Sequence, residues 1–146
     1  KQHLELPLPD MFRSTLIVDY IFQKDRIFAS VNLDDDELEL YNTLWKVLEP
    51  KIPAPDIVVY LQASTEHMLD RIKLRGRSYE KNISREYLEA LNNAYNDFFF
   101  HYPLAPVFIV NTDNIDFVSN ERDLRDLIEN IIEPHSGITF YHPGGK

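Results

Sequence analysis

The chain reads as an α/β protein built on a parallel sheet, and three observations predict that class. Short apolar runs without period-2 alternation recur at Leu16-Ile17-Val18, at Ile57 to Leu61 and at Val107 to Val110. Strands covered by helices on both faces look like this, because neither side has to be polar. Amphipathic stretches separate the runs, so strands and helices alternate along the chain. Prolines stand ahead of the later runs, Pro53 and Pro55 before the second and Pro103 and Pro106 before the third.

The elements follow in order. The first run ends in Asp19. Asp34 to Glu37 then give an acidic opening suited to the positive end of a helix, and Leu38, Tyr41, Trp45 and Leu48 continue at near-helical spacing. After the second run, Met68, Leu69 and Ile72 mark a short helix that carries Arg71, Lys73 and Arg75, with Gly76 as its stop and Arg77 and Glu80 beyond it. Ser84 is the cap expected for the longest helix, whose broad stripe holds Tyr87, Leu91, Ala94, Tyr95, Phe98, Phe99 and Tyr102. Those aromatics are read as core rather than as a ligand platform. Leu124, Leu127, Ile128 and Ile131 repeat the helical pattern, and the tail over 133–146 is expected to be irregular. No internal repeat or linker interrupts the chain, so residues 1–146 are expected to belong to a single domain.

Composition limits the function classes. A chain of 146 residues with 44% hydrophobic and 12% aromatic content can bury a core. It has no cysteine, which excludes disulfides and thiolate zinc sites. The sequence contains no apolar run of about 18 residues, and Lys1 to Asp10 lack the basic-then-apolar pattern of a secretory signal. A soluble, cytoplasmic protein without membrane contact is therefore expected. A formal net charge of -9 argues against a nucleic-acid surface, which needs many spread cations. The crowding of Arg71, Lys73, Arg75 and Arg77 on this acidic body points instead to a small anion held at one place. On a helix, Arg71 and Arg75 share a face and repel unless an anion lies between them. The alternative is a solvated helix end whose cations complement the dipole.

Ligands of α/β sheets bind beyond the carboxyl ends of the strands. That rule singles out Asp19 and the segment from Asn111 to Phe117. Asp19 could hold a hydrated Mg²⁺ or orient a hydroxyl, and it could equally serve as a turn or capping residue. His3, His67, His101, His135 and His142 share no metal-ligand spacing.

The segment Arg71-Ile-Lys-Leu-Arg75-Gly-Arg77-Ser-Tyr-Glu80, followed by Ser84-Arg-Glu-Tyr87-Leu88, resembles the lid region of the deoxynucleoside kinases. Further matches bracket it, with Asp19-Tyr20, Asp25-Arg26 and Ile27-Phe28-Ala29 before the lid and Asn114-Ile-Asp116-Phe117 after it. The likeness runs from Phe12 to about Ile132 and is nearest to the bacterial purine kinases of that group. It implies a P-loop NTPase-like sheet with flanking helices, and transfer of the γ-phosphoryl of ATP to the 5′-hydroxyl of a deoxynucleoside, a purine by preference. By resemblance, the lid spans about 71–83, and Arg71, Arg75 and Arg77 would contact the donor phosphates, a task suited to planar guanidinium forks. Glu80 would accept the sugar 3′-hydroxyl, Asp25 would recognise the base, and Asp116 and Phe117 would lie against the adenine of ATP. Asp19 would stand close to the Mg²⁺ and the phosphates. A homodimer is implied as well.

Two departures qualify the likeness. Tyr20 and Ile21 replace an Arg-Ser pair of the family, and Gly76 is the sole glycine before Gly137, so the chain contains no phosphate-binding P-loop. The family's first two strands, one of them bearing the general base, are missing with it. The first of these would lie between the runs at Leu16 and Ile57, which without it stand about 10 Å apart. The chain is therefore expected to be the C-terminal portion of a kinase domain, dependent on an upstream segment, and its start at Lys1 without Met fits that expectation. Direct pairing of those two runs would contradict the family topology. Two rival readings are a non-catalytic subunit of the same fold and a monophosphate kinase of the thymidylate type. The first needs neither the arginines nor Glu80, and the second would need added cations at its acceptor site.

Overall fold

The computed structural model describes residues 15–80 and 82–142. The chain groups into two compact units, Lys1–Pro53 and Ala54–Lys146. In the first, helix α1 (Lys24–Asn32) precedes α2 (Asp35–Leu48). The acidic opening of α2 closes a capping box: the Glu37 amide donates to Asp34 Oδ1 at 2.9 Å, and the Asp34 amide to Glu37 Oε2 at 3.2 Å. Trp45 is buried and stacks on Phe22 with ring centroids 4.3 Å apart, and Tyr41 lies against it. Leu38 and Tyr41 are half-buried, so the expected stripe faces inward until Leu48, which is exposed. A second apolar row, Leu40, Leu44 and Val47, faces outward on the same helix.

The first expected strand does not form. Leu16 to Val18 belong to no strand, and Ile17 is 89% exposed. A strand exists only by pairing its backbone groups, and no described segment pairs with this run.

The second unit contains a three-stranded parallel sheet in the order β1 (Val58–Gln62), β2 (Val107–Asn111), β3 (Ile138–Tyr141). Val58 is in register with Val107, and Val107 with Ile138. The third strand corrects the expectation of an irregular tail. Gly137, at φ +60°, turns the chain so that its carbonyl accepts the Val107 amide at 2.9 Å and starts the ladder. Sequence missed β3 because Ile138-Thr139-Phe140-Tyr141 is a short run at an exposed edge, where burial is too weak to show a pattern.

Alternation along the strands assigns the two faces. Tyr60 packs on α4 (Arg85–Phe100), its ring 4.5 Å from Phe99. On the opposite face Phe108 and Val110 meet Leu127 of α5 (Glu121–Ile131), with Phe117 and Ile131 packed beside them. The central strand β2 is buried from Val107 to Val110, as a run apolar on both sides requires. Ser84 caps α4 as expected, its hydroxyl accepting the Tyr87 amide at 3.1 Å. Phe99 and Tyr102 are buried, in keeping with core rather than ligand use. Between β1 and α4 lies α3 (Thr65–Arg75), capped by Ser64 and stopped by Gly76 at φ +65°.

Candidate functional site

The carboxyl ends of β1 and β2 carry a cluster of bonded polar residues. Thr112, directly after β2, is 1% exposed and fully bonded: its amide and its hydroxyl both donate to the Gln62 carbonyl at 2.9 Å. Its carbonyl and hydroxyl oxygens in turn accept from Arg71 Nη2 at 3.2 and 3.3 Å. The guanidinium of an otherwise exposed side chain is thereby tied to the end of the sheet. Beside these groups a polar pocket of about 200 Å³ is lined by Gln62, Ser64, Asn92, Asn96, Asn111 and Asp113, with Ala63. Asn96 Oδ1 accepts from Tyr60 Oη at 3.0 Å and from Gln62 Nε2 at 2.7 Å, while Asn92 Nδ2 donates to the Ala63 carbonyl at 3.2 Å. Asp113 Oδ1 takes the Ser64 amide at 2.9 Å, joining the loops after the two strands. Burial of Tyr60 pushes its phenol up to about 12, so it stays a donor throughout the physiological range.

Beyond α3 the chain turns back through a short 3₁₀ segment, Ser78–Glu80. Here Glu80 draws the other two arginines together. Its Oε1 lies 3.3 Å from Arg75 Nη1 and 3.7 Å from Arg77 Nη1. The carboxylate side chain is 10% exposed, whereas each arginine is 53% exposed. Its second oxygen, Oε2, is buried without a hydrogen-bond partner. A buried carboxylate oxygen has a strong tendency to accept a donor, since leaving it bare costs desolvation energy. Arg71 and Arg75, expected to repel on one helix face, turn to separate partners: Arg71 to Thr112, and Arg75 to Glu80. An ion triad fixes the base of the same hairpin, where Arg85 bonds Glu66 of α3 and, at 2.8 Å, Glu89 of α4.

Asp116 and Phe117 follow on the loop after β2. Asp116 Oδ1 accepts the amides of Ser119 at 2.9 Å and Val118 at 3.2 Å. The Ser119 amide, above all, holds its carboxyl below the usual aspartate range. Phe117 is half-buried against the Phe108, Val110 and Leu127 cluster, so its ring anchors the loop to the core. Asp19 and Asp25 lie in the other unit. Asp19 is exposed between the first apolar run and α1, and Asp25 is half-buried in the first turn of α1. The structure thus joins Arg75, Arg77 and Glu80 in one ion cluster and fixes Arg71 at the end of β2.

Sequence reasoning passed over Gln62, Asn92 and Asn96, and took in Thr112 only as part of the segment from Asn111 to Phe117. Thr112 has a visible signal, since it is the first residue past a fully apolar strand. The two asparagines lie at i,i+4 on the helix that also buries Leu88 and Phe99, a polar notch in an apolar face. No cluster of three or more metal-ligating side chains occurs among the described residues. A hydrated Mg²⁺ needs only one or two protein carboxylates besides phosphate, and the exposed Asp19 carboxylate fits that demand. No helix among the described residues is long and apolar enough to cross a membrane.

The family model for deoxynucleoside kinase matches residues 2–135. The chain belongs to that family. It is 34% identical over 122 residues to the deoxyguanosine kinase of Bacillus subtilis (strain 168), covering 81% of this chain and 59% of that protein. It is 28% identical over 131 residues to the deoxyadenosine kinase of Lactobacillus acidophilus, covering 80% of this chain and 61% of that one. Among solved structures, the deoxyadenosine kinase from M. mycoides with bound dATP matches with a TM-score of 0.66 and 28% identity, over 83% of this chain and 64% of its own. The chain therefore spans about three fifths of the length of these relatives. The architecture is that of the family, a P-loop NTPase fold, here with a three-stranded parallel sheet and flanking helices.

Proposed function

We propose that the protein containing this chain transfers the γ-phosphoryl of ATP to the 5′-hydroxyl of a deoxynucleoside, a purine by preference, and that this chain supplies the lid and part of the acceptor site. The observation that carries the reading is the Glu80 cluster. One carboxylate oxygen binds two guanidinium groups, and the other is buried and bare, a fitting acceptor for a hydroxyl donor. A carboxylate in that place would repel an acceptor that already carried phosphate, which favours a nucleoside over a monophosphate. Arg71, Arg75 and Arg77 would bind the donor phosphates, and their fixed charge would offset the charge that develops on the transferred group. Asp25 would face the base and Asp116 and Phe117 the adenine, the loop being anchored by the Asp116 turn and the half-buried Phe117 ring. Mg²⁺, held through Asp19, would neutralise phosphate oxygens.

The sequence holds no Gly-rich phosphate loop. Activity would therefore require an upstream segment of the same protein, which would supply the triphosphate cradle and the general base. The outward row of Leu40, Leu44 and Val47 on α2 supports a homodimer through paired helices. A phosphoryl-transfer assay of the full-length protein against the four deoxynucleosides and their monophosphates tests the assignment. Turnover of deoxynucleosides is expected. Turnover of monophosphates alone would overturn it, and no turnover of either would favour a non-catalytic subunit.

A further inference from the structure

Arg71 is the one lid arginine whose guanidinium bonds to the sheet rather than to Glu80, and the residue it bonds has no other evident need of it. Thr112 is already satisfied toward β1, since its amide and hydroxyl both reach the Gln62 carbonyl. Its carbonyl and hydroxyl oxygens nevertheless converge on a single Arg71 nitrogen, Nη2. An arginine has five N–H donors in a rigid plane, so fixing Nη2 at two points fixes the whole fork. Nη1 and Nε remain without a protein partner among the described residues. A long side chain on an exposed helix face would otherwise have to be ordered by its ligand at an entropic cost. Thr112 also begins the loop that carries Asp116 and Phe117, so one buried residue links the lid helix to that loop.

We propose that Thr112 is the positioning residue for Arg71: it holds Nη2 at the carboxyl end of β2, so that Nη1 and Nε are presented, already ordered, to a phosphate of the nucleotide donor. This rests on the reading of Arg71 as a phosphate ligand. The hydroxyl carries the part that can be tested, because the carbonyl persists in any substitution. Valine has the shape of threonine without the hydroxyl. In Thr112→Val the Thr112 amide still holds the Gln62 carbonyl, so the end of the β1–β2 ladder is kept.

The test uses the full-length protein with Thr112→Val, Thr112→Ser, Arg71→Ala and the Thr112→Val/Arg71→Ala pair, measuring KM for ATP, KM for the deoxynucleoside and thermal melting. Thr112→Val is expected to raise the ATP KM by about tenfold, the scale of one hydrogen bond from a charged donor, with the deoxynucleoside KM little changed. Thr112→Ser keeps the hydroxyl and is expected to stay near wild type. The double variant is expected to be no worse for ATP than Arg71→Ala alone, since the threonine acts through that arginine. A lowered melting temperature with an unmoved ATP KM would make Thr112 structural only and overturn the proposal. So would a Thr112→Val effect that persists undiminished on top of Arg71→Ala. If Arg71→Ala itself leaves the ATP KM unchanged, the phosphate reading of Arg71 fails first, and its positioning falls with it.

Discussion

Replacing Glu80 by glutamine removes one charge and almost no volume, which makes it the sharpest probe of the acceptor assignment. Two stability terms oppose each other. The ion pairs to Arg75 and Arg77, at 3.3 and 3.7 Å, end on side chains that are 53% exposed, so each contributes no more than about 1 kcal/mol. Against this, the carboxylate is only 10% exposed, and neutralising it removes a desolvation cost of opposite sign. The fold is therefore expected to lose about 1 kcal/mol or less. Substrate recognition behaves differently. If the bare Oε2 accepts a sugar hydroxyl, that charge-assisted bond contributes about 1.5–3 kcal/mol, against about 0.5–1.5 kcal/mol for a neutral amide oxygen. The difference is worth roughly tenfold in kcat/KM. The assay is steady-state phosphorylation of a deoxynucleoside and of its 3′-deoxy analogue by full-length wild type and Glu80→Gln. Wild type should discriminate against the analogue, and the variant should discriminate roughly tenfold less. An unchanged ratio in a variant of unchanged melting temperature would refute the assignment of that hydroxyl to Glu80.

Three further outcomes are expected. Arg75→Ala should raise the KM for ATP more than that for the deoxynucleoside, and a rise confined to the deoxynucleoside would assign Arg75 to the acceptor side instead. The Tyr60 phenol, buried and bonded to Asn96, ionises near 12 rather than near 10. The native state therefore holds an extra proton between those values: the stabilisation is complete below about pH 10 and is lost as pH rises toward 12, a change of roughly 3 kcal/mol. Tyr60→Phe should flatten that alkaline loss in denaturant titrations at pH 9 and pH 11, and an identical slope in both proteins would contradict it. Gly76→Ala should cost about 1 kcal/mol in urea unfolding, because φ is +65° and the closest neighbouring atom to a new Cβ, the Lys73 carbonyl oxygen, is 4.0 Å away, which leaves backbone strain as the cause. No loss of stability would show that the helix end relaxes.

The amino-acid sequence by itself determined the α/β class, strands at the runs Ile57 to Leu61 and Val107 to Val110, the helix after Ser84 and the stop at Gly76. These depend on local chemistry: continuous apolar runs, a capping hydroxyl, a glycine free to take positive φ. It also marked the arginine cluster and Glu80 as a candidate site. Tertiary structure decided the rest, because the rest depends on partners distant in sequence. Leu16 to Val18 had the composition of a strand and formed none, since a strand needs a neighbour to accept its hydrogen bonds. Ile138 to Tyr141 looked like tail and became the third strand, because β2 offered it an open edge. Which protein groups Arg71 and Arg75 would bond could not be read from their spacing. Thr112, 41 residues further along the chain, took one arginine, and Glu80 took the other.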